Sequence, residues 1–298
     1  MKKGFSTKNR PLIGIDIGGT KISAGWVENC KLIKSYTLPT PQGGKQQILK
    51  AISDAIEALK TQDFAGIGIG IPGLVDTRNG IAYDIQNIPG MSGMALKKEL
   101  QAIYHCPVEI NNDANCFVLG VKNHETGRPF QHLVGLTLGT GLGGGLILNG
   151  KLYEGTGTGA GELGFLPYKD GILEHYCSGQ FFHRQYGISG KEALQRALKG
   201  DPKALEMYAQ FGKHLGEAIK MVAHFLAPEA VVLGGSISTN FWLFEKTMWE
   251  SIRSFPYAHV VDHLQVMPAV SPDIAMVGAA SLLSETTQNI KLHLTENE

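Results

Sequence analysis

The chain has 298 residues, of which 43% are hydrophobic and 18% charged, so it can fill a core and is unlike a disordered chain. Lys plus Arg equals Asp plus Glu at 27 each, which disfavours a nucleic-acid-binding surface because such surfaces carry a basic excess. No apolar run is long enough to span a membrane, the first ten residues lack a signal-peptide core, and the four cysteines form no CxxC pair. We therefore expect a cytoplasmic protein with no membrane or nucleic-acid partner.

The first part of the chain alternates between strand and helix patterns. Three short apolar segments separated by turn residues predict an antiparallel meander. Apolar residues at helical spacing then predict helices, and short continuous apolar runs predict buried strands. The predicted elements are strands at 11–17, 21–27 and 31–38, a helix at 43–59, a strand at 65–73, a helix at 94–103, a strand at 108–110 and a helix that starts after Asn112.

The second part opens in the same way, which predicts an α/β protein with two lobes around a central cleft. We expect an N-terminal lobe at 1–118 and a C-terminal lobe at 119–274, with a C-terminal helix near 275–298 completing the first lobe. The predicted elements are strands at 132–138, 144–149 and 151–154, helices at 176–186, 191–198 and 203–226, a strand at 230–235, and helices at 240–253 and from Ala275.

A glycine-rich turn follows the first predicted strand of each half. Residues Gly14–Thr20 align with Gly135–Gly141, and residues 135–155 hold eight glycines in 21 positions. Glycine lets the backbone approach a ligand closely and take positive φ angles, so that N–H groups can face an anion. Either turn alone could be a structural hairpin, and neither has the Walker A or GxGxxG pattern. Their duplication favours phosphate binding by one turn in each lobe.

The first turn carries additional polar groups. Asp16, Thr20 and Lys21 supply a carboxylate, a hydroxyl and an ammonium group. A carboxylate beside a phosphate is repulsive unless a cation lies between them. Asp16 therefore indicates Mg²⁺, bound directly or through water.

The segment Asn111-Asn112-Asp113 ends a predicted strand and opens a predicted helix. Asn and Asp are preferred helix N-caps, so a purely structural role is open. The alternative makes Asp113 the general base for an attacking hydroxyl group, with Asn112 orienting the acceptor. Phosphoryl transfer needs mainly positioning, charge stabilisation and one acceptor for the hydroxyl proton, and a single Asp meets that need.

Six motifs, in order along the chain, resemble those of the ROK family of bacterial sugar kinases, related repressors and open reading frames. The resemblance covers essentially the whole chain, and it implies an actin-like or hexokinase fold of the ribonuclease H-like type. The motifs are DIGGTK (16–21), GIPG (70–73), NNDAN (111–115), GTGLGGG (139–145), GAGELG (159–164) and LGGS (233–236).

The resemblance also implies roles for matching residues. Asp113 matches the catalytic base. The positions that match ATP-binding residues, with Asp16 beside them, are Gly18, Gly19, Thr20, Lys21, Gly139, Thr140, Gly141, Gly234 and Gly235. The positions that resemble sugar-binding residues are Asn87, Asn112, Glu162 and Glu174.

The sequence departs from the family pattern around its zinc site. The family's ExGH motif reads Glu162-Leu163-Gly164-Phe165 here, and the CxCGxxGC segment before LExxxSG is missing. The spacing of His175, Cys177 and His183 suits no usual zinc motif. We therefore expect no zinc site, with His175 and His183 on the surface. We also expect the loop to be held by apolar packing of Phe165, Leu166, Pro167 and Tyr168.

These observations predict an ATP- and Mg²⁺-dependent kinase that phosphorylates a hexose at O6, with glucose as the first acceptor to consider. Loss of the family histidine leaves an apolar wall, so N-acetylmannosamine and N-acetylglucosamine are alternative acceptors. A sugar-sensing regulator or kinase-like binding protein without turnover is the alternative from another class. A regulator would need a helix-turn-helix segment before the first strand, which starts near residue 11.

Dimers are common in the family, so a homodimer stays open, with Trp242, Phe244 and Trp249 in the core or at an interface.

Overall fold

The computed structural model describes residues 10–83, 85 and 87–295, and for residues 285–295 only the helical backbone. The first nine residues, on which the signal-peptide argument rests, lie outside this range, as do residues 296–298 of the predicted C-terminal helix. No helix in the described range combines the length and apolarity needed to cross a bilayer.

The elements of the first 124 residues follow the predicted order, with two short strands in addition. A 3₁₀ turn at Pro89–Met91 precedes the second helix. The elements are β1 (Leu12–Ile17), β2 (Lys21–Glu28), β3 (Lys31–Pro39), α1 (Lys45–Leu59), β4 (Ile67–Ile71), β5 (Leu74–Asp76), β6 (Ile81–Tyr83), α2 (Leu96–Tyr104), β7 (Val108–Asn112) and α3 (Asp113–His124).

The later elements include several that the sequence did not predict. The predicted helix at 176–186 is divided where Ser178 takes an extended conformation, and the one at 240–253 begins as a 3₁₀ segment, Ser238–Leu243. The elements are β8 (Leu133–Leu138), β9 (Leu142–Leu148), β10 (Lys151–Leu152), β11 (Pro167–Tyr168), β12 (Gly171–Ile172), α4 (Glu174–Cys177), α5 (Gln180–Tyr186), α6 (Gly190–Leu198), α7 (Pro202–Leu226), β13 (Ala230–Gly234), α8 (Glu245–Ile252), α9 (Ala258–His263), β14 (Gln265–Pro268) and α10 (Ile274–Thr295).

The chain divides into two compact units. The first unit comprises residues 1–124, 154–159 and 273–298, and the second comprises residues 125–153 and 160–272. The sequence-based limit between residues 118 and 119 falls inside α3, which packs against α10 along its length and therefore stays whole in the first unit. The short return of residues 154–159 to the first unit has no counterpart in the sequence-based division.

The sheet of the first unit has the strand order β3-β2-β1-β4-β7. Strand β1 is antiparallel to β2 and parallel to β4, and β4 is parallel to β7. Asp16 lies opposite Gly70, which lies opposite Asn111. Because the carboxyl ends of parallel strands share one edge, the polar residues that end β1 and β7 lie at the same edge of this sheet.

The sheet of the second unit repeats this topology in the order β10-β9-β8-β13-β14. Strand β8 is antiparallel to β9 and parallel to β13, which is parallel to β14. The predicted internal repeat is therefore present in the strand order. The sequence did not predict β14, because four residues that end in Pro268 are too short for a periodicity signal.

Helix α10 packs closely on β1 and β4 in the first unit. A Cβ on Gly14 would lie 1.9 Å from the carbonyl oxygen of Met276, and a Cβ on Gly68 would lie 1.8 Å from that of Ala279. Any side chain at these positions would push the helix away. The backbone contact thus holds β1 and β4 directly against α10.

Each unit has its own hydrophobic core. In the first unit alternate residues of β1 face the apolar side of α1, as the strand period requires. In the second unit aromatic side chains of α5 and α7 pack beneath the sheet. Of the aromatic residues considered for an interface, Phe244 is fully buried in this core, Trp249 is half-buried, and Trp242 is exposed.

Candidate functional site

The first glycine turn joins β1 to β2. The N–H of Gly18 donates to the carbonyl of Lys21 at 2.9 Å, and the Thr40 hydroxyl donates to the carbonyl of Gly18 at 2.6 Å. Neither Gly18 nor Gly19 uses the positive φ range that is open to glycine. Gly19 instead provides space, because a Cβ there would lie 2.8 Å from the Cβ of Asn87. The structure thus brings Asn87 against this turn, while Thr20 and Lys21 are exposed beside it.

Asp16 ends β1 directly before this turn. Its pKa is raised to about 6, first by burial and then by the charge of Asp113, with Asp273 adding to the effect and Lys21 opposing it. Negative charge therefore outweighs positive charge around the carboxylate. This environment fits Mg²⁺, which proteins commonly hold through one or two carboxylates together with phosphate oxygens.

Asn112 and Asp113 lie where β7 passes into α3. The Asn112 side-chain oxygen accepts hydrogen bonds from the N–H groups of Ala114 at 2.8 Å and Asn115 at 3.3 Å, so Asn112 caps the helix. Its amide nitrogen donates one hydrogen to the carbonyl of Gly73 at 3.0 Å. The cap and the predicted acceptor-orienting role are compatible, because the second amide hydrogen of Asn112 can serve a ligand.

Asp113 directly follows the Asn112 cap, so it lies at the end of β7 and the start of α3. Its pKa is raised by burial, although the N–H of Ala114, 2.9 Å from one oxygen, opposes the shift. Gly70 leaves room for the first residue of α3, because a Cβ on Gly70 would lie only 3.3 Å from the Cα of Asp113. A carboxylate with a raised pKa holds a proton more readily, which suits a general base.

The second glycine turn joins β8 to β9. The N–H of Gly139 donates to the carbonyl of Gly141 at 3.1 Å, and Thr140 is exposed at the tip. Neither Gly139 nor Gly141 has a left-handed φ. A Cβ on Gly139 would lie more than 4 Å from every described heavy atom outside its immediate neighbours. This face of the turn can therefore accept a ligand.

The glycines of β13 lie beside this turn. Gly234 pairs with Thr137 at the end of β8. Gly235 has a φ of +82°, and a Cβ there would lie 2.4 Å from the carbonyl oxygen of Leu138. The structure thus places these two predicted nucleotide-binding segments at adjacent strand ends of the second unit.

Glu174 connects the second turn to the start of α4. One carboxylate oxygen accepts from the N–H of Leu142 at 3.0 Å, and the other accepts from the side-chain amide of Gln180 at 2.7 Å. The N–H of Gly179 also donates to the carbonyl of Gly139 at 2.8 Å. Glu174 therefore braces the turn from behind, a contact that the resemblance did not imply.

Some of the glycines near residue 140 serve packing within the second unit. A Cβ on Gly144 would lie 2.5 Å from the carbonyl oxygen of Gly161, and a Cβ on Gly164 would lie 2.5 Å from that of Leu142. The glycines of β9 thus let residues 161–164 lie directly on the strand. This contact places Glu162, half-buried at the start of the 3₁₀ turn Leu163–Phe165.

The prediction that apolar packing holds the loop after Glu162 is wrong for Phe165, Leu166 and Pro167, which are exposed, and right for Tyr168, which packs against the core of the second unit. Phe165 is 58% exposed and Leu166 is 38% exposed. The β11–β12 hairpin is held instead by Tyr168, whose ring packs edge-on against Tyr176 and whose hydroxyl lies 3.0 Å from Nδ1 of His214. A buried aromatic cluster thus anchors the loop.

No zinc site is assembled at this loop by the side chains that the structure describes. No three His, Cys, Asp or Glu side chains among them are placed to hold a metal ion. Cys177 is buried and its thiol pKa is raised, which disfavours the thiolate needed for zinc. His183 is exposed as predicted, whereas His175 is half-buried with Nδ1 enclosed.

His214 makes the second unit sensitive to acid. Burial first, and then the charge of Lys169, lowers its pKa to about 4, with Lys213 adding to this and Glu217 opposing it. Between pH 6.5 and 4 the unfolded chain binds the proton and the folded chain does not, so stability is lost as the pH falls through this window.

We expect the free energy of unfolding to fall by about 2 kcal/mol from pH 7.5 to pH 5 through His214. Urea unfolding of wild type and His214→Phe at both pH values tests this; an equal decline in the two proteins would contradict it.

Sequence reasoning missed a polar network on residues 154–158. Glu154 accepts a hydrogen bond from the side-chain amide of Asn111, whose oxygen accepts from Asn115 at 2.9 Å. The Thr158 hydroxyl accepts from the N–H of Val75 at 2.8 Å. The only local signal was a single Glu in a run of glycine and threonine, EGTGTG.

Comparison with known proteins agrees with this architecture. A family model described as the ROK family matches residues 12–286. A glucokinase of Thermotoga maritima is 31% identical over 308 aligned residues, covering 92% of this chain and 97% of that protein. An N-acetyl-D-glucosamine kinase of Mannheimia succiniciproducens is 34% identical, with 78% of this chain and 86% of that protein covered.

The fold is also shared with a solved structure. The crystal structure of a ROK family glucokinase from Streptomyces griseus, in complex with glucose and AMPPNP, has a TM-score of 0.82 at 28% identity. It covers 91% of this chain and 98% of that chain. The predicted actin-like, hexokinase-type α/β fold is confirmed. With a family match across nearly its whole length and relatives above 30% identity, the chain belongs to the ROK family.

Proposed function

We propose that this protein is an ATP-dependent sugar kinase that transfers a phosphoryl group to O6 of a hexose. The observation that carries the proposal is the position of Asp113, which lies at the same sheet edge as Asp16 and the first glycine turn. A base, a metal-binding carboxylate and a phosphate-binding turn are the parts that phosphoryl transfer requires. The kinases to which this chain is similar support the same reaction.

Asp113 is the general base of the proposed reaction. The sugar hydroxyl oxygen forms a bond to the γ-phosphorus of ATP, the bond to ADP breaks, and the hydroxyl proton passes to the Asp113 carboxylate. Asn112 is fixed by its cap and by Gly73, so its remaining amide hydrogen has one fixed direction. In the proposed reaction this hydrogen would donate to the acceptor. Burial raises the pKa of Asp113, so its carboxylate binds a proton more readily. In the proposed reaction it receives the proton that the sugar hydroxyl releases.

The two glycine turns and the β13 glycines bind the nucleotide in this proposal. Thr20 and Lys21 add a hydroxyl and an ammonium group to the first turn, and Gly139 offers an open backbone face in the second. Asp16 would hold Mg²⁺, directly or through water. When bound, Mg²⁺ offsets the negative charge of the triphosphate.

The acceptor is a hexose in both leading versions of the proposal. Glucose is placed first because of the similarity to glucokinases, and N-acetylglucosamine is the alternative because relatives with that activity are equally similar. N-acetylmannosamine remains a third acceptor to test. Asn87, Glu162 and Glu174 stay predictions as sugar ligands. We place the reaction in the cytoplasm, where ATP is available and the four free thiols stay reduced.

An ADP-release assay with Mg·ATP tests the proposal. Glucose, mannose, fructose, glucosamine and the two N-acetylhexosamines are offered in turn, and ³¹P NMR of the product identifies the phosphorylated oxygen. We expect one hexose to have the highest kcat/KM and to carry phosphate at O6. Nucleotide and sugar binding without turnover of any hexose would contradict a kinase and favour a sugar-sensing regulator.

A further inference from the structure

The first unit contains a cavity of about 580 Å³ between the β5–β6 hairpin and residues 154–158. Such a volume lies within the roughly 300–1,000 Å³ typical of small-molecule pockets. The predicted site residues do not line it; its walls come from Leu74, Asp76, Arg78, Tyr83, Glu154 and their neighbours. The cavity is therefore additional to the groups assigned to the reaction.

The walls of this cavity are held in place by specific contacts. Thr158 is buried, has a φ of +56°, and accepts from the N–H of Val75 at 2.8 Å across 83 residues of sequence. A threonine with left-handed geometry is strained and persists only where its surroundings compensate. The segment is thus fixed to the hairpin, which makes the cavity a built feature of the unit.

Both walls are attached to the two residues that immediately precede Asp113. Gly73, which precedes the hairpin, accepts a hydrogen bond from Asn112 at 3.0 Å. Glu154, on the opposite wall, accepts one from Asn111. Because the two asparagines immediately precede Asp113, both walls of the cavity are tied to the segment that carries the proposed base.

The chemistry of the lining suits a neutral sugar ring. Tyr83 and Leu74 are 43% and 38% exposed and supply apolar surface. Asp76 and Glu154 supply acceptors, and the Arg78 guanidinium supplies donors, which together match hydroxyl groups. Among the described lining residues, two carboxylates against one guanidinium disfavour an anionic occupant. A pyranose has both an apolar C–H face and a rim of hydroxyl groups.

We propose that this cavity binds a second sugar ring, joined through the anomeric carbon to the hexose whose O6 is phosphorylated. The inference rests on the proposed function for the reacting hexose and extends it to the acceptor class: disaccharides and other glycosides. The reacting ring lies at Asp113, and the linked ring packs against Tyr83. A single pyranose would fill only part of a cavity of this size.

Steady-state kinetics with glucose, cellobiose and maltose test the inference. We expect at least one disaccharide to have a higher kcat/KM than glucose in the wild-type enzyme. Tyr83→Ala is expected to lower kcat/KM for that disaccharide about tenfold and to leave glucose unchanged. Tyr36→Ala is the matched control, since Tyr36 is 44% exposed on β3 of the same unit and does not line the cavity. We expect it to change neither value.

Saturation-transfer NMR without nucleotide gives a second readout that does not depend on turnover. We expect disaccharide binding that is lost in Tyr83→Ala and retained in Tyr36→Ala. If glucose is phosphorylated while the disaccharides are neither bound nor phosphorylated, or if Tyr83→Ala weakens glucose and disaccharide equally, the inference is overturned and the kinase stands. If no sugar is phosphorylated, the proposed function fails, and the NMR result alone then supports or overturns the cavity as a sugar site.

Discussion

Replacing Asp113 with asparagine is expected to lower kcat by about a thousandfold, within the range for loss of a general base. Asparagine keeps the shape of the side chain and can still accept the hydrogen bond from the N–H of Ala114, but it cannot accept the hydroxyl proton. The KM values for sugar and ATP should change little, because Asn112 and the glycine turns are untouched. The measurement is steady-state kinetics with the best acceptor from the ADP-release assay.

Stability separates this effect from misfolding. The pKa of Asp113 is raised in the folded protein, so its charge at neutral pH costs stability, and the neutral variant should be at least as stable as wild type near pH 7.5. Asp54→Asn is the control, because Asp54 lies on α1 in an exposed pair with Lys50 and should affect neither kcat nor folding. A stable Asp113→Asn variant that keeps wild-type kcat would remove Asp113 from the mechanism.

Replacing Glu174 with alanine is expected to raise the KM for ATP about tenfold to a hundredfold, the effect of losing hydrogen bonds to a charged group. The carboxylate holds the N–H of Leu142 and the amide of Gln180, so its loss frees the second glycine turn. Direct titration with AMPPNP measures the same loss without turnover. Glu206→Ala is the matched control, since Glu206 accepts from Gln210 at 2.6 Å in an exposed helix pair.

The outcome also decides between two roles for Glu174. The resemblance implies a sugar ligand, and the structure shows a brace for the turn. A rise in the KM for sugar with an unchanged KM for ATP would overturn the bracing role.

Two glycine variants give a further check: a Cβ on Gly141 would lie 2.5 Å from the Glu174 carboxylate, whereas one on Gly139 meets no described atom within 4 Å outside its neighbours. We expect Gly141→Ala to disturb the turn, and Gly139→Ala to fold normally while weakening AMPPNP binding.

Much of the architecture could be predicted because its signals are local. The β1–β2–β3 meander, the amphipathic α1 and α7 and the buried β4 and β13 each carry a period or an apolar run within one segment. The repeated glycine turn and the Asn112-Asp113 cap are also contiguous in sequence. The short strands β5, β6 and β14 were missed, since three or four residues hold too little periodicity.

Long-range contacts account for what the sequence alone did not reveal. The return of residues 154–159 to the first unit depends on Thr158 and Glu154 meeting Val75 and Asn111, which are far away along the chain. The loop that carries Phe165 is anchored by Tyr168, whose hydroxyl lies 3.0 Å from Nδ1 of His214, 46 residues away along the chain.

The sequence by itself determined the fold class, the family and the two glycine turns, because these are properties of contiguous residues and their order. Only the tertiary structure decided which of those glycines have open space beside them and which pack against backbone, and that Glu174 braces a turn. The physical reason is that burial, close approach and hydrogen bonding join residues whose separation along the chain leaves no trace in local pattern.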